Sequence, residues 1–501
     1  MIKKTLLWLL SIVAGAILLG WFFWPANWSV RGPVFDFITG RQAATPSDAM
    51  LQARLKLPAG FRIGIFADNV PHARMMAVTK TGDIAVSSMR DGNVILLHRD
   101  VNADGKSDGR TILFSGLNVP HGIAFHDGYI YIAETGRIVR APYNDAARSV
   151  GALETVFDGL PPGGNHRTRT IGFGPDGWLY VTVGSSCNVC VEDHPYRAAM
   201  LRMRPNGKDA IVYAHGLRNT VGFDWQPGTR RLYGTDNGRD LLGDNIPNCE
   251  INYIEEGQFY GWPYTYDDKV VDPDVGAGHS KEIARARVME HGLGAHVAPL
   301  GIRFIAPSLS VPGLENSALV ALHGSWNRST LSGYKVVALH FAADDTITEE
   351  DFLTGFEKDG DVIGRPVDIV TGSDGSIYIS DDYAGVVYRV GWDTIPVSSD
   401  QVIAPEDKTD GDPVDAALEV PSAALLAQGA ALFEQNNCAQ CHEPLATTGK
   451  PSVEIFKGLK GRYGVEEVMD ILDIPPGPMP RPEISDAERK ALAVYLLSRS
   501  N

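Results

Sequence analysis

The 501-residue sequence predicts an all-β six-bladed β-propeller joined to a small all-α domain, with a transmembrane helix at the N-terminus. Three observations predict this. A unit of two alternating strands around a glycine turn recurs between residues 60 and 390; the alternation stops after Val390 and helical patterning returns near Ala423; and residues 5–24 carry no charge. Composition agrees, since 44% hydrophobic and 21% charged residues exclude a disordered chain. The 53 Gly and 31 Pro favour a fold of many tight turns over a helical bundle.

The uncharged run is twenty residues, enough at 1.5 Å per residue to span roughly 30 Å of hydrocarbon. Lys3 and Lys4 precede it, and Trp21 and Trp24 at its end with Trp28 beyond form a belt at the far interface, so the positive-inside rule leaves the N-terminus in the cytoplasm. Residues 1–28 are therefore expected as an uncleaved single-pass anchor in the cytoplasmic (inner) membrane, with the rest of the chain on the periplasmic side. A cleaved signal peptide is the alternative. Residues 29–54 read as a connection from membrane to propeller. The net charge of −16 excludes a nucleic-acid-coating surface, so no nucleic-acid partner is expected, and an anionic ligand would need a local basic pocket.

The propeller is expected over residues 55–392. MAVTKTGDIAV centres on Gly82, IAFHDGYIYIA on Gly128, IGFGPDGWLYVT on Gly177, VGFDWQPGTRRLYG on Gly228 and VDIVTGSDGSIYIS on Gly375, with a weaker copy around Gly313. The intervals of 46, 49, 51, 85 and 62 residues approximate one four-stranded blade per period plus insertions. Asp-Gly pairs at 127–128, 176–177 and 374–375 are hairpin signals that favour antiparallel blades over parallel βαβ units.

Residues 393–421 lose the alternation and gain acidic residues and prolines, the mark of a linker. Residues 422–501 read as helical, from ALLAQGAALFEQ to a last helix opened by Ser485 with Glu488 as a capping box. Between them stands Cys438-Ala439-Gln440-Cys441-His442. This C-x-x-C-H spacing lets two thiols add across the haem vinyl groups while the next residue gives imidazole to iron. A second axial ligand is expected at Met479, in the proline-stiffened loop Pro475-Pro476-Gly477-Pro478-Met479-Pro480. Met469 is the competing thioether, but it sits in the helical pattern VEEVMDIL and reads as core packing. The segment resembles the class I cytochromes c, a likeness that fits export.

Cys187-Asn188-Val189-Cys190 lacks the following histidine, so it is no haem site; a local disulfide is the default, with Cys249 left over or pairing with either. Asp100, Asn102, Asp104 and Asp108 place oxygen donors at alternating positions around Gly105, like the start of a calcium loop, but Thr111 replaces the closing Glu. A structural surface calcium or a solvated acidic turn are the two readings.

Short polar pieces stand directly before blade strands: Gly164-Asn165-His166-Arg167, Gly216-Leu217-Arg218-Asn219 and Gly364-Arg365-Pro366. With Asp244-Asn245-Ile246-Pro247 and His323-Gly324-Ser325-Trp326-Asn327-Arg328, these resemble the pyrroloquinoline quinone (PQQ) dependent sugar dehydrogenases of the soluble glucose, aldose sugar and L-sorbosone dehydrogenase type. The resemblance implies His166 as general base, Asn165 beside the substrate and Arg218 stabilising charge on the cofactor. It implies calcium on the backbone carbonyls of Ile246 and Pro247, and Arg365, with Arg328 and His323 as looser candidates, around the PQQ carboxylates. One departure stands out: the soluble glucose enzyme has an acidic residue orienting its base, where Tyr180-Val-Thr-Val-Gly184 here leads to Ser185 and Ser186. Glucose itself is thereby disfavoured.

The resulting expectation is a dehydrogenase that uses PQQ, calcium and haem c to oxidise a sugar or sugar aldehyde and pass electrons to a respiratory-chain acceptor. A calcium-dependent lactone hydrolase and a non-catalytic docking propeller are the alternatives, because fold alone does not fix function.

Overall fold

The computed structural model describes Gly32, Pro33, Asp36, residues 39–392 and 423–436, Cys438, Val465, Val468, Met469, Leu472, Pro482 and residues 484–499. The chain divides into two compact units, Met1–Val402 and Ile403–Asn501, with the break inside the expected linker. The expected membrane anchor lies outside the described residues; among those that are described, no helix is long and apolar enough to cross a membrane.

The first unit is a six-bladed propeller. Five blades take their strands in chain order; the sixth pairs Pro366–Thr371, Ile377–Asp381 and Val386–Trp392 with the first strand of the fold, Phe61–Ala67, as its outer edge. This pairing, Phe61 opposite Trp392 through Ile65 opposite Tyr388, closes the ring. All six repeat glycines lie between the first and second strands of their blades, with φ of 74° to 95° that only glycine adopts without strain. Asp127-Gly128 forms a two-residue hairpin with both φ positive, joining His126 to Tyr129. The 85-residue interval is explained by an insertion in blade 4, where a short hairpin and the helix Ser280–Arg285 separate Asn248–Tyr253 from His291–Ala295.

There is no single core. Six apolar clusters each join two neighbouring blades, for example Tyr180, Met200 and Leu217 of blade 3 with Phe223, Leu232 and Ile254 of blade 4. Hydroxyls in three second strands tie their blades to the next: Ser87 donates to the His121 carbonyl, Thr235 to that of Leu300 and Ser380 to that of Arg74, each at 2.7 Å. At the axis the innermost strands approach so closely that a Cβ on Gly222 would collide with the Leu300 carbonyl, so glycine is required there.

Ahead of the ring, Ser47 caps the short helix Asp48–Arg54, which buries Leu51 in the cluster between blades 5 and 6. Cys187 and Cys190 form the expected local disulfide, and Cys249 is a buried free thiol, pushed up to about 11 by burial.

In the second unit, helices Ala423–Gln435 and Asp486–Ser498 pack on each other. Gly429 lies against the Ala491 backbone with no room for a Cβ, and the Ser485–Glu488 capping box is present. Met469 packs against the apolar cluster of this unit, as its pattern predicts. Cys441, His442 and Met479 lie outside the described residues.

Phe66, 1% exposed on the closing strand and edge-on to Tyr378 at 4.8 Å, links blade 6 to blade 1. Phe66→Ala is expected to lower the stability of the propeller by about 3–5 kcal/mol, read as an earlier urea unfolding midpoint.

Candidate active site

Every blade begins at the same face, so residues just ahead of the innermost strands converge although they are far apart in sequence. His72 precedes the strand Ala73–Val78, His166 stands five positions before Ile171–Phe173, Asn219 precedes Thr220–Trp225 and Arg365 precedes Pro366–Thr371. These residues, with Arg74, Arg90 and Asp382, line a cavity of about 740 Å³. Asn165 and Arg167 are on its wall as well.

His166 is held by its Nδ1, 3.0 Å from the Ser185 carbonyl and 2.8 Å from the Ser185 hydroxyl. A carbonyl can only accept, and the hydroxyl donates its own proton to the Cys187 carbonyl at 2.8 Å. Nδ1 must therefore carry the proton, which leaves Nε2 with a lone pair. Burial, then the Arg218 charge, pushes His166 down to about 3, so the ring is neutral across the physiological range. Ser185 is thus the residue that orients the His166 ring.

Arg218 is 4% exposed and is not on the cavity wall. It donates to the Asn188 carbonyl and side chain, to the Asn237 carbonyl and to Asp240 at 2.9–3.2 Å. It acts from behind, fastening the disulfide loop that carries Ser185 to the loop after the strand Leu232–Asp236.

Arg365 donates to the carbonyls of His323 and Gly324 at 3.1 and 3.0 Å, and its charge also acts on Asp382. His323 stands behind the wall: it bonds Asp382 at 2.8 Å, and Asp382 also takes Arg74 at 2.9 Å. Although burial opposes it, His323 and Arg74 hold Asp382 well below the usual carboxylate range, while burial, then Arg365, pushes His323 down to about 4. Arg328 is outside the cavity lining and bonds the Ala295 carbonyl and Asn245. Ile246 and Pro247 are on that same adjoining loop and do not line the cavity either.

The Asp100–Asp108 loop satisfies its oxygens internally. Asp100 accepts from the Gly105 and Asp104 N–H groups and pairs with Arg389 at 2.8 Å, Asn102 and Asp104 cap N–H groups of the turn, and Asp108 accepts from Val101. Arg389 places one positive charge against Asp100.

With this geometry established, the comparisons place the chain. The Glucose / Sorbosone dehydrogenase family matches residues 129–389, more than half of the sequence. The chain belongs to the glucose/sorbosone dehydrogenase family. A second family, described as cytochrome C oxidase, cbb3-type, subunit III, matches residues 424–496, so this member of the family joins its propeller to a cytochrome c domain. An uncharacterized protein of Borreliella burgdorferi is 32% identical over 364 residues, covering 69% of this chain and 93% of that protein. The pyrroloquinoline quinone-dependent pyranose dehydrogenase of Coprinopsis cinerea is 23% identical over 67% of this chain, which spans 54% of that protein's length. Quinoprotein glucose dehydrogenase B of Acinetobacter calcoaceticus is 24% identical over 39% of this chain and 50% of its own. The chain thus spans about half the length of these two dehydrogenases. The propeller fold is shared with the holo form of the Coprinopsis pyranose dehydrogenase PQQ domain, at a TM-score of 0.57, 22% identity and coverage of 67% of this chain and 97% of that one. It is shared as well with the calcium structure of the Trichoderma reesei family AA12 enzyme, at 0.61, 19%, 68% and 97%.

Because its folded pKa lies below the unfolded value near 6.5, His166 contributes stability that is present above pH 6.5 and is lost as pH falls toward 3. NMR titration is expected to show His166 unprotonated from pH 8 down to 4, and His166→Gln should flatten part of the acid limb of the stability curve.

Proposed function

We propose that this chain is a PQQ-dependent dehydrogenase of sugars or sugar aldehydes that passes electrons through its own haem c to a respiratory-chain acceptor. The observation that carries the reading is a neutral His166 with a free Nε2 lone pair on the wall of a cation-lined cavity, in a chain that also holds C-x-x-C-H. Arg74, Arg90, Arg167 and Arg365 line that cavity. In a chain of net charge −16 this is a local concentration of positive charge, which fits the three carboxylates of PQQ.

Arg365, its guanidinium hydrogen-bonded to two carbonyls, and Arg90 would hold carboxylates, and Asn219 would bond the ring system. When bound, PQQ supplies the two-electron oxidant. His166 Nε2 takes the substrate hydroxyl proton, and Ser185 keeps the ring turned so that this nitrogen, not Nδ1, meets the substrate. Asn165 orients the substrate beside it. Arg218 holds the Ser185 loop and keeps His166 neutral through its charge. The carbonyls of Ile246 and Pro247 are hard oxygen donors and are our assignment for a calcium ion. Cys438, half-buried against the apolar cluster of the second unit, is suitably placed for a thioether. With Cys441, His442 and Met479 it would hold a haem that supplies a one-electron carrier. The 5–24 segment would anchor the protein in the cytoplasmic membrane with both domains in the periplasm.

The test uses detergent-solubilised full-length protein loaded with PQQ and Ca²⁺, following reduced-haem absorbance on addition of aldoses, sorbosone and simple aldehydes. Substrate-dependent haem reduction that requires PQQ, and that falls about 10²–10⁴-fold in His166→Ala, is expected. Absence of PQQ binding together with no reduction by any substrate would overturn the reading.

A further inference from the structure

The segment ahead of the propeller, expected as a plain connection, forms part of the cavity wall. Asp36, Gly40 and Arg41 line the cavity. Four contacts tie this strap to the ring: Tyr383 donates its hydroxyl to Asp36 at 2.9 Å, the Gln42 amide donates to the Asp382 carbonyl at 3.0 Å, Ala43 N–H donates to the Tyr383 carbonyl at 2.8 Å, and His72 Nε2 reaches the Gly40 carbonyl at 3.1 Å. Gly40 also lies so near Arg90 that a Cβ would come within 2.7 Å of the guanidinium. These partners belong to blades 6 and 1. His166 and Asn219 enter from blades 3 and 4, which the ring places across the axis. A ligand in the cavity thus has the base on one side and the strap on the other.

The strap brings both a carboxylate, Asp36, and a cation, Arg41, to the wall. Asp382 is consumed by Arg74 and His323. Asp36 accepts through Oδ2 from Tyr383, and among the described residues no donor reaches its Oδ1. The Tyr383 phenol, raised to about 12 by burial and then by Asp36, keeps its proton and so fixes the carboxyl group by donating to it. A carboxylate oxygen that no donor reaches attracts the neutral hydroxyls of a ligand in the cavity.

We propose that Asp36 is a specificity-determining residue, its Oδ1 accepting a hydrogen bond from a hydroxyl of a polyhydroxylated substrate whose reacting carbon lies at His166. The inference rests on the dehydrogenase reading and names its substrate class: hydroxyl-rich aldoses in preference to plain aldehydes. Tyr383 is the positioning residue.

The test compares wild-type, Asp36→Ala, Asp36→Asn and Tyr383→Phe full-length proteins, loaded with PQQ and Ca²⁺, on five- and six-carbon aldoses and on propanal. Asp36→Ala is expected to raise KM for the aldoses about tenfold with a much smaller change in kcat, so that the ratio of kcat/KM for aldose over propanal falls about tenfold. Tyr383→Phe should shift the same ratio in the same direction by less. Calorimetric titration of the aldose supplies a second readout, in which Asp36→Ala weakens binding by a similar factor. The isosteric Asp36→Asn guards against misfolding and should also lower the ratio. An unchanged ratio in a working enzyme would overturn the role of Asp36 and leave the dehydrogenase intact. A wild-type protein that oxidises nothing would remove the dehydrogenase reading, and the calorimetric comparison then decides Asp36 alone, with no aldose binding, or equal binding by variant and wild type, counting against it.

Discussion

Closure of the ring by Phe61–Ala67 on Val386–Trp392 is the pairing on which the rest depends. Each blade buries its apolar faces only against its neighbours, so no blade is stable alone and an open ring would leave two faces in water. The closing strand contributes Ile63 to the cluster between blades 5 and 6 and Phe66 to the one between blades 6 and 1, so one strand completes two of the six cores. Closure also brings the loops before each innermost strand to one face, where His72 and Asp382, 310 positions apart, share a cavity.

The charges of that face are arranged unevenly. Asp382 and Asp240 are matched with arginines that approach from within the protein, whereas Arg365 is held by two neutral carbonyls. Carbonyl acceptors orient a guanidinium without cancelling it, which leaves net positive charge directed into the cavity. Burial first, then the charge of Arg218 with smaller contributions from Arg197 and Arg169, keeps His166 neutral. A histidine in that field is a weak base, but its lone pair is present at every pH at which the protein works, and its proton affinity rises when negative charge arrives nearby.

Much of this was legible in the sequence because the repeat carries a ruler. His72, Arg218 and Arg365 each stand ten residues before the hairpin glycine of their blade, at Gly82, Gly228 and Gly375, and His166 stands eleven before Gly177. Applied to the first blade, the same spacing would have found His72, which the motif-based reading passed over. Asp382 and Ser185 follow second strands, where loop length varies and no fixed offset from the glycine exists. Asp36 and Arg41 were invisible for a different reason: they precede the repeat, and only tertiary bonds to Tyr383 and Asp382 bring them to the cavity. His323 and Arg328, read as looser candidates around the cofactor, do not line the cavity: Asp382 and Asn245 hold them.

Arg218 shows how a family likeness and a local geometry can assign one residue two kinds of work. Its resemblance implies a cation touching the cofactor, yet four of its hydrogen bonds go to Asn188, Asn237 and Asp240. Asn188 lies in the disulfide loop, one residue after the carbonyl that holds the Ser185 hydroxyl, and Asp240 bonds Asn188 and Asn327 in turn. The guanidinium therefore joins two loops from two blades, Asp240 adds a third through Asn327, and the position of His166 depends on that joint. A charge fixed this firmly reorients little when charge develops nearby, which is the property electrostatic stabilisation requires. On the proposed dehydrogenase reading, positioning His166 and stabilising charge would be two consequences of one rigidly held arginine, exerted through the protein at one end and through the field in the cavity at the other.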